Sequence, residues 1–340
     1  MNQEIGILGA GAWGTALARH LCMKHGHARI WAYERDVVDQ INTNHVNDKF
    51  LPGIALPETL VATNDLQAFA EGLTLLVIVC PSHVLRGVMH QLAPYLKPDL
   101  AMICATKGIE NETLMPMSDV IESVLGPWSR GRTCYLSGPS FALDVAHGQA
   151  TSVSLAGYDD TLCRELQVLV SNENLRAYST SDVLGVELGG SLKNVIAIAA
   201  GAVAGLGLGH NAAAAIVTRG LAEMTRLCVK LGGEALTLSG LSGLGDLVLT
   251  CYGDLSRNRD LGVRLGRGES LDEIQRSRIT VAEGVKTARS AYALACKYEV
   301  DMPIVRNVYQ GLYEQKAPID VATELMGRSL KRELEFTTVK

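Results

Sequence analysis

Short apolar runs alternate with helix-forming stretches through the first half of this 340-residue chain. Glu4–Leu8, Ala28–Tyr33, Leu75–Cys80, Leu100–Ala105 and Cys134–Leu136 are largely apolar and end in glycine, proline or charged residues. Such runs suit strands of a parallel sheet, whose faces are both covered by helices. Thr15–Leu21 and the stretch from Ser82 to about Tyr95 read as helices between them. After Thr180 the pattern changes to long Ala/Leu-rich segments. Leu188–Leu208 and Asn211–Leu231 read as helices, the second with Asn211 as its N-cap. Further helices are expected over Arg257–Gly266, Val285–Tyr298, Ile304–Tyr313 and Asp320–Arg328. The alternation predicts an α/β, doubly wound sheet over residues 1–185 and an all-helical domain over 186–340.

Within Leu188–Leu208 one residue stands out. Lys193 is the sole lysine or arginine between Arg176 and Arg219. At the start of an apolar helix it can snorkel to solvent. Alternatively it projects into a closed site, where desolvation lowers its pKa and suits it to proton transfer. Gly201 and Gly205, one turn apart, would let another backbone approach the same helix closely.

The glycine pattern at the first strand end sharpens the picture. Gly9-Ala10-Gly11-Ala12-Trp13-Gly14 follows a strand and opens a helix, and Glu34 lies about twenty residues beyond its last glycine. This is the dinucleotide fingerprint of a Rossmann-type sheet. Gly9 permits the turn, Gly11 lets a pyrophosphate approach, and Gly14 lets helix and strand pack closely. Glu34 suits the ribose hydroxyls of NAD, whereas the adjacent Arg35 suits the 2′-phosphate of NADP, so use of both NAD(H) and NADP(H) is expected.

Other polar clusters fall at strand ends and helix starts. Lys107, in Thr106-Lys107-Gly108, sits where ligands of open α/β sheets bind, or is a solvated loop lysine. Ser140, after Gly138-Pro139, either caps a helix or offers a hydroxyl to substrate. Asp246, between Gly245 and Leu247, either caps a helix or orients a reacting group. Ser256-Arg257-Asn258-Arg259 opens a helix, where a guanidinium and free amides would favour one anion, a phosphate clamp whose bland alternative is a capped helix start.

A net charge of −5 and the lack of a Lys/Arg-rich tract argue against a nucleic-acid partner. The eight cysteines are scattered without a Cys-x-x-Cys pair, which suggests reduced thiols in the cytoplasm and no metal centre. No signal segment is expected before the first strand, and glycines, His210 and Asn211 interrupt the apolar helix, so no integral membrane contact is expected.

The ordered set of these elements resembles the bacterial NAD(P)-dependent glycerol-3-phosphate dehydrogenases over essentially the whole chain. Its carriers are Gly9–Ala18, Pro81-Ser82-His83, Thr106–Glu110, Ser137–Ala142, Leu188–Val195, Gly243–Leu247, Ser256–Arg259 and Val281–Gly284. The resemblance implies reversible hydride transfer between dihydroxyacetone phosphate and sn-glycerol 3-phosphate, mainly as reduction feeding phospholipid synthesis. It implies Lys193 as catalytic acid/base, and substrate contacts from Lys107, Gly138, Ser140, Asp246, Ser256, Arg257 and Asn258. Ala12, Trp13, Tyr33, Lys107, Ala142, Arg257, Val281 and Glu283 match positions that touch the cofactor. The chemistry of ketone reduction adds expected roles: Lys107 supplies positive potential and Asp246 holds the Lys193 ammonium. The expected partner is a small phosphorylated substrate, and a homodimer is left open.

Overall fold

A computed structural model describes residues 4–277, 282–330 and 333. Among them, eight strands form one sheet: β1 (Ile5–Leu8), β2 (Ala28–Trp31), β3 (Leu60–Thr63), β4 (Leu75–Ile78), β5 (Ala101–Cys104), β6 (Thr133–Ser137), β7 (Thr151–Gly157) and β8 (Leu175–Thr180). Their order is β3-β2-β1-β4-β5-β6-β7-β8. Pairing is parallel throughout except between β6 and β7, which run antiparallel with Leu136 opposite Leu155. The chain winds outward in both directions from β1, and the crevice where that order reverses lies at the carboxyl ends of β1 and β4.

Successive side chains point to opposite faces, so each central strand feeds two cores. Ile7, Val77, Ile103, Leu136 and Leu155 join one, together with Leu17 and Leu21 of the helix Ala12–His25. Leu8, Leu76, Ile78, Met102 and Tyr135 join the other, which also takes Val183 and Val186 from the second half of the chain. β3, β7 and β8 escape the search for apolar runs. They carry alternating, partly polar sequences such as Leu60-Val61-Ala62-Thr63, in which Leu60 and Ala62 are buried and Val61 is exposed.

The apolar segment around Lys193 forms a 23-residue helix, Val183–Gly205. Asp182 caps it, accepting from the Gly185 amide at 2.9 Å. Its start is five residues earlier than the apolar pattern implies, with two consequences. The expected domain border at 185/186 falls inside its first turn. Lys193 sits in mid-helix and is 8% exposed, so it cannot snorkel from a helix end. Asn211 is also not a cap: the next helix runs Gly209–Lys230, and Leu208 stands at its N-cap without a side-chain bond. Arg257–Gly266 forms as expected. Glu283–Lys297, Pro303–Tyr313 and Pro318–Met326 start a residue or two early, two of them with proline in the first turn, where its missing N–H is harmless.

The core helix and Arg257–Gly266 touch backbone to backbone. A Cβ on Gly201 would overlap the Arg259 carbonyl, one on Gly205 the Val263 carbonyl, and one on Gly262 the Ile198 carbonyl. This fixes the start of one helix relative to Lys193 on the other. Gly262→Ala should therefore lose about 1–3 kcal/mol by overpacking. Gly87→Ala, in the helix Ser82–Leu92 with open space around it, should be neutral or gain up to about 1 kcal/mol. Urea unfolding midpoints check the pair, and equal stability of the two variants would refute the contact.

Candidate active site

Three separate parts of the chain converge on one carboxylate. Asp246 opens the helix Asp246–Tyr252 and is 1% exposed. Lys107 Nζ donates to its Oδ2 at 2.7 Å, and Lys193 Nζ donates to its Oδ1. Thr250, one turn along the same helix face, accepts from Lys193 Nζ at 2.9 Å and donates to the Asp246 carbonyl at 2.6 Å. Asp246 makes no cap bond, so its side chain orients the lysines. An ammonium has three donors, and Lys193 keeps one beyond these two bonds.

Burial is the largest influence on Lys193 and lowers its pKa to about 8, with the Lys107 charge pushing the same way and Asp246 opposing both. Taking two cations and one anion out of water leaves a net positive pocket, a preorganised field for a developing oxyanion. Lys107 also donates to the Gly138 carbonyl at 3.3 Å. The next residue, Gly108, has φ +150° and donates its N–H to Ser191 Oγ at 2.9 Å. Ser191 lies two residues before Lys193, so the core helix positions both lysines.

A third cation approaches from the start of Arg257–Gly266. Ser256 caps that helix, accepting from the Arg259 amide at 3.2 Å. Asn258 is buried, donating to Asn194 Oδ1 at 2.9 Å and accepting from the Gly284 amide at 3.0 Å, so much of its carboxamide is spent as a strut. Arg257 is exposed at the rim. Burial pushes the half-buried Glu283 carboxyl up, and Arg257, Lys107 and Lys193 all pull it down. The arginine and both lysines thus act electrostatically on one carboxyl.

The glycine loop lies at the carboxyl end of β1. Gly9 has φ +118°, and a Cβ at Gly14 would collide with the Gly9 carbonyl. Gly11 has open space around its Cα and, as N-cap, makes no side-chain bond to the first-turn amides. The Trp13 indole N–H is buried without a hydrogen-bond partner among the described residues. Asn47 braces the loop, donating to the Ala10 carbonyl at 2.9 Å and to Thr15 Oγ1 at 2.8 Å. Open space over a glycine, free helix amides and an orphan donor fit a dinucleotide pyrophosphate. Ala12, Trp13 and Ala142 pack against one core cluster beside it. Tyr33 is 80% exposed after β2; Glu34 is half-buried at the next helix start, with Lys49 Nζ 3.9 Å away, and Arg35 is exposed.

Ser140 caps no helix: its hydroxyl donates to the Gly138 carbonyl at 3.0 Å, and Phe141 stands at the N-cap of Ala142–Ala146. Val281 lies outside the described residues. Thr250, Asn194, Ser191 and Asn47 were not singled out by sequence reasoning. Thr250 was reachable, because residues four apart share a helix face and Asp246 was already a candidate. Among the described residues no group of three or more His, Cys, Asp or Glu could hold a metal ion.

Comparison with known proteins agrees with this geometry. The family model for the NAD-dependent glycerol-3-phosphate dehydrogenase N-terminus matches residues 4–163, and that for the C-terminus matches residues 182–323. A glycerol-3-phosphate dehydrogenase [NAD(P)+] of Syntrophotalea carbinolica is 50% identical over 333 residues, 98% of this chain and 100% of that protein. One from Geobacter metallireducens is 51% identical over 98% of this chain and 99% of that protein. The crystal structure of glycerol-3-phosphate dehydrogenase from Coxiella burnetii superposes with TM-score 0.92 at 40% identity, covering 96% of this chain and 99% of that one. With both halves matched and relatives at half identity over nearly its full length, the chain belongs to the NAD-dependent glycerol-3-phosphate dehydrogenase family.

Proposed function

We infer that the chain is an NAD(P)-dependent sn-glycerol-3-phosphate dehydrogenase, working mainly to reduce dihydroxyacetone phosphate for glycerophospholipid synthesis. The observation that carries the reading is the buried Asp246 carboxylate gripping both Lys193 and Lys107 at the carboxyl end of the sheet. Both cofactor types are expected, as in the relatives named for NAD(P)+. Free cysteines support a cytoplasmic setting.

Bound nicotinamide supplies the hydride. The protein does the rest. Lys193 points its remaining N–H at the carbonyl oxygen, stabilises the charge that grows there and donates the proton. Asp246 and Thr250 hold that ammonium in register, and Lys107 adds positive potential. Arg257 and the amides at the start of its helix take the substrate phosphate, so binding energy remote from the carbonyl orients it. Rigid backbone contact between the two helices sets the distance between phosphate grip and proton donor.

Following nicotinamide absorbance with dihydroxyacetone phosphate and NADH or NADPH tests the activity. Lys193→Ala should lower turnover by about a thousandfold or more while cofactor binding is retained, since it removes a proton donor and a transition-state charge. Turnover within about tenfold of wild type would leave Lys193 a structural residue.

The pH dependence follows from the sign of the Lys193 shift. Donation needs the ammonium form, so the rate of the first turnover after mixing should be high below about pH 8 and fall above it. Asp246→Asn removes the charge that opposes desolvation, so the fall should move to lower pH. An unmoved profile would mean that Asp246 does not tune the lysine.

Arg257→Ala should cost roughly 2–3 kcal/mol in kcat/KM for dihydroxyacetone phosphate, the low end for a charge pair because the side chain is exposed before substrate arrives. Arg257→Lys should rescue poorly, because lysine lacks the planar fork. Unphosphorylated dihydroxyacetone should show almost no loss. Equal proportional losses on both substrates, with cofactor affinity unchanged, would sink the phosphate grip.

A further inference from the structure

Behind Lys107, on the side of the sheet, lies an internal cavity of about 10 Å³. Lys107, Thr106, Ser137 and Glu187 line it, with Tyr135 and Cys104. That volume holds about one water molecule, provided polar groups bind it. Such groups are present. The Ser137 hydroxyl is buried and has no hydrogen-bond partner among the described residues. Gly190, on the core helix, keeps that hydroxyl clear: a Cβ there would overlap Ser137 Oγ and lie 3.5 Å from Lys107 Cδ.

Glu187 is the buried acid that the mechanism above does not use. It sits on the core helix about one and two-thirds turns before Lys193. Its carboxyl accepts from the Ser118 amide at 2.9 Å and the Ser118 hydroxyl at 2.6 Å. Burial pushes it up to about 7; the two Ser118 bonds pull it down and Asp119 pushes it up. The other titratable groups under its influence are Cys104 on β5, Tyr135 on β6 and Tyr158 after β7. Glu223 makes a useful contrast. It too is pushed up to about 7, but its oxygens hold the Ile304 and Val305 amides at a helix start, and it does not line the cavity.

We propose that this cavity binds one water molecule, and that Glu187 acts through it and Lys107 to return a proton to Lys193 after each reduction. This rests on Lys193 being the proton donor. When Lys193 protonates the new alkoxide it is left as a neutral amine. Lys107 then passes one proton across Asp246, which touches both nitrogens, and takes one from the cavity water. The water takes the Glu187 carboxyl proton. The resulting carboxylate stays held by Ser118 until solvent reprotonates it. No electrons move; burial pushes the Glu187 carboxyl up and the Lys193 ammonium down, which brings the two close enough in proton affinity for a proton to pass.

Rapid mixing separates this from a structural role. With Glu187→Gln, the first turnover after mixing should keep its wild-type rate, because Lys193 starts protonated. Steady-state turnover below pH 7 should drop by about tenfold, and the fall that wild type shows as pH rises through about 7 should vanish. Ser118→Ala retains the carboxyl and the residue 118 amide but removes the hydroxyl donor that favours its charged form, so the fall should move to higher pH. A Glu187 that merely braced the fold would slow the first turnover as well and leave the fall in place, and that outcome would overturn the proposal. Should Glu187→Gln not fold, Ser118→Ala decides, since an unmoved fall refutes the relay. An active Lys193→Ala would sink the proton-donor reading itself. An inactive one beside an unchanged fall near pH 7 would sink the relay alone.

Discussion

The structure turns on one carboxylate held between two ammonium groups inside the protein. Each of the three would be untenable there alone, because an unpaired buried charge costs several kcal/mol. The cluster persists because three distant parts of the chain deliver its members: Lys107 from the end of β5, Lys193 from mid-helix, and Asp246 from a helix start. The half that carries the sheet and the half that carries the helices are thereby stitched at the point of chemistry. Stability and reactivity share an origin here, since the burial that demands pairing also lowers the Lys193 pKa toward neutrality.

The core helix acts as a common ruler. Along it, Val183 and Val186 enter the core on one sheet face, Ser191 takes the Gly108 amide, Lys193 takes Asp246, and Asn194 takes Asn258. One turn and more beyond, Gly201 and Gly205 press against the backbone of Arg257–Gly266. Because a helix advances by a fixed 1.5 Å per residue, these contacts set the Lys107–Gly108 loop, Lys193 and the start of Arg257–Gly266 at fixed spacings. A helix this apolar would suit a membrane by composition, but its most apolar window is 89% buried within the protein.

What the sequence made legible follows from which physical signals are local. Central strands such as Leu75–Ile78 are buried on both faces and stand out as unbroken apolar runs. Edge elements such as β3 and β8 bury one side only, and their short alternating patterns merge with loop sequence. The glycine loop was readable because turn, close approach and helix packing each demand glycine at a set spacing. The Asp246 bridge was not readable as geometry, because its partners are 139 and 53 residues away along the chain. Helix periodicity could nominate Lys193 as anomalous but misjudged its depth, since Leu184 and Val186 extend the helix through glycines that weaken the pattern. At Asn258 the helix-start position was legible but not its bonds across the fold: half of its bonding capacity braces Asn194 and Gly284.

Charge balance explains how the protein tolerates so much positive potential before substrate arrives. Three cations, Lys107, Lys193 and Arg257, face two carboxyls, Asp246 and Glu283. Asp246 is bonded to both lysines and is buried, so it cannot leave without stranding them. Glu283 is half-buried and feels all three cations. The two carboxyls therefore differ in kind: Asp246 is a buried counter-charge bonded to both lysines, whereas Glu283 is a half-buried one in the field of the lysines and Arg257.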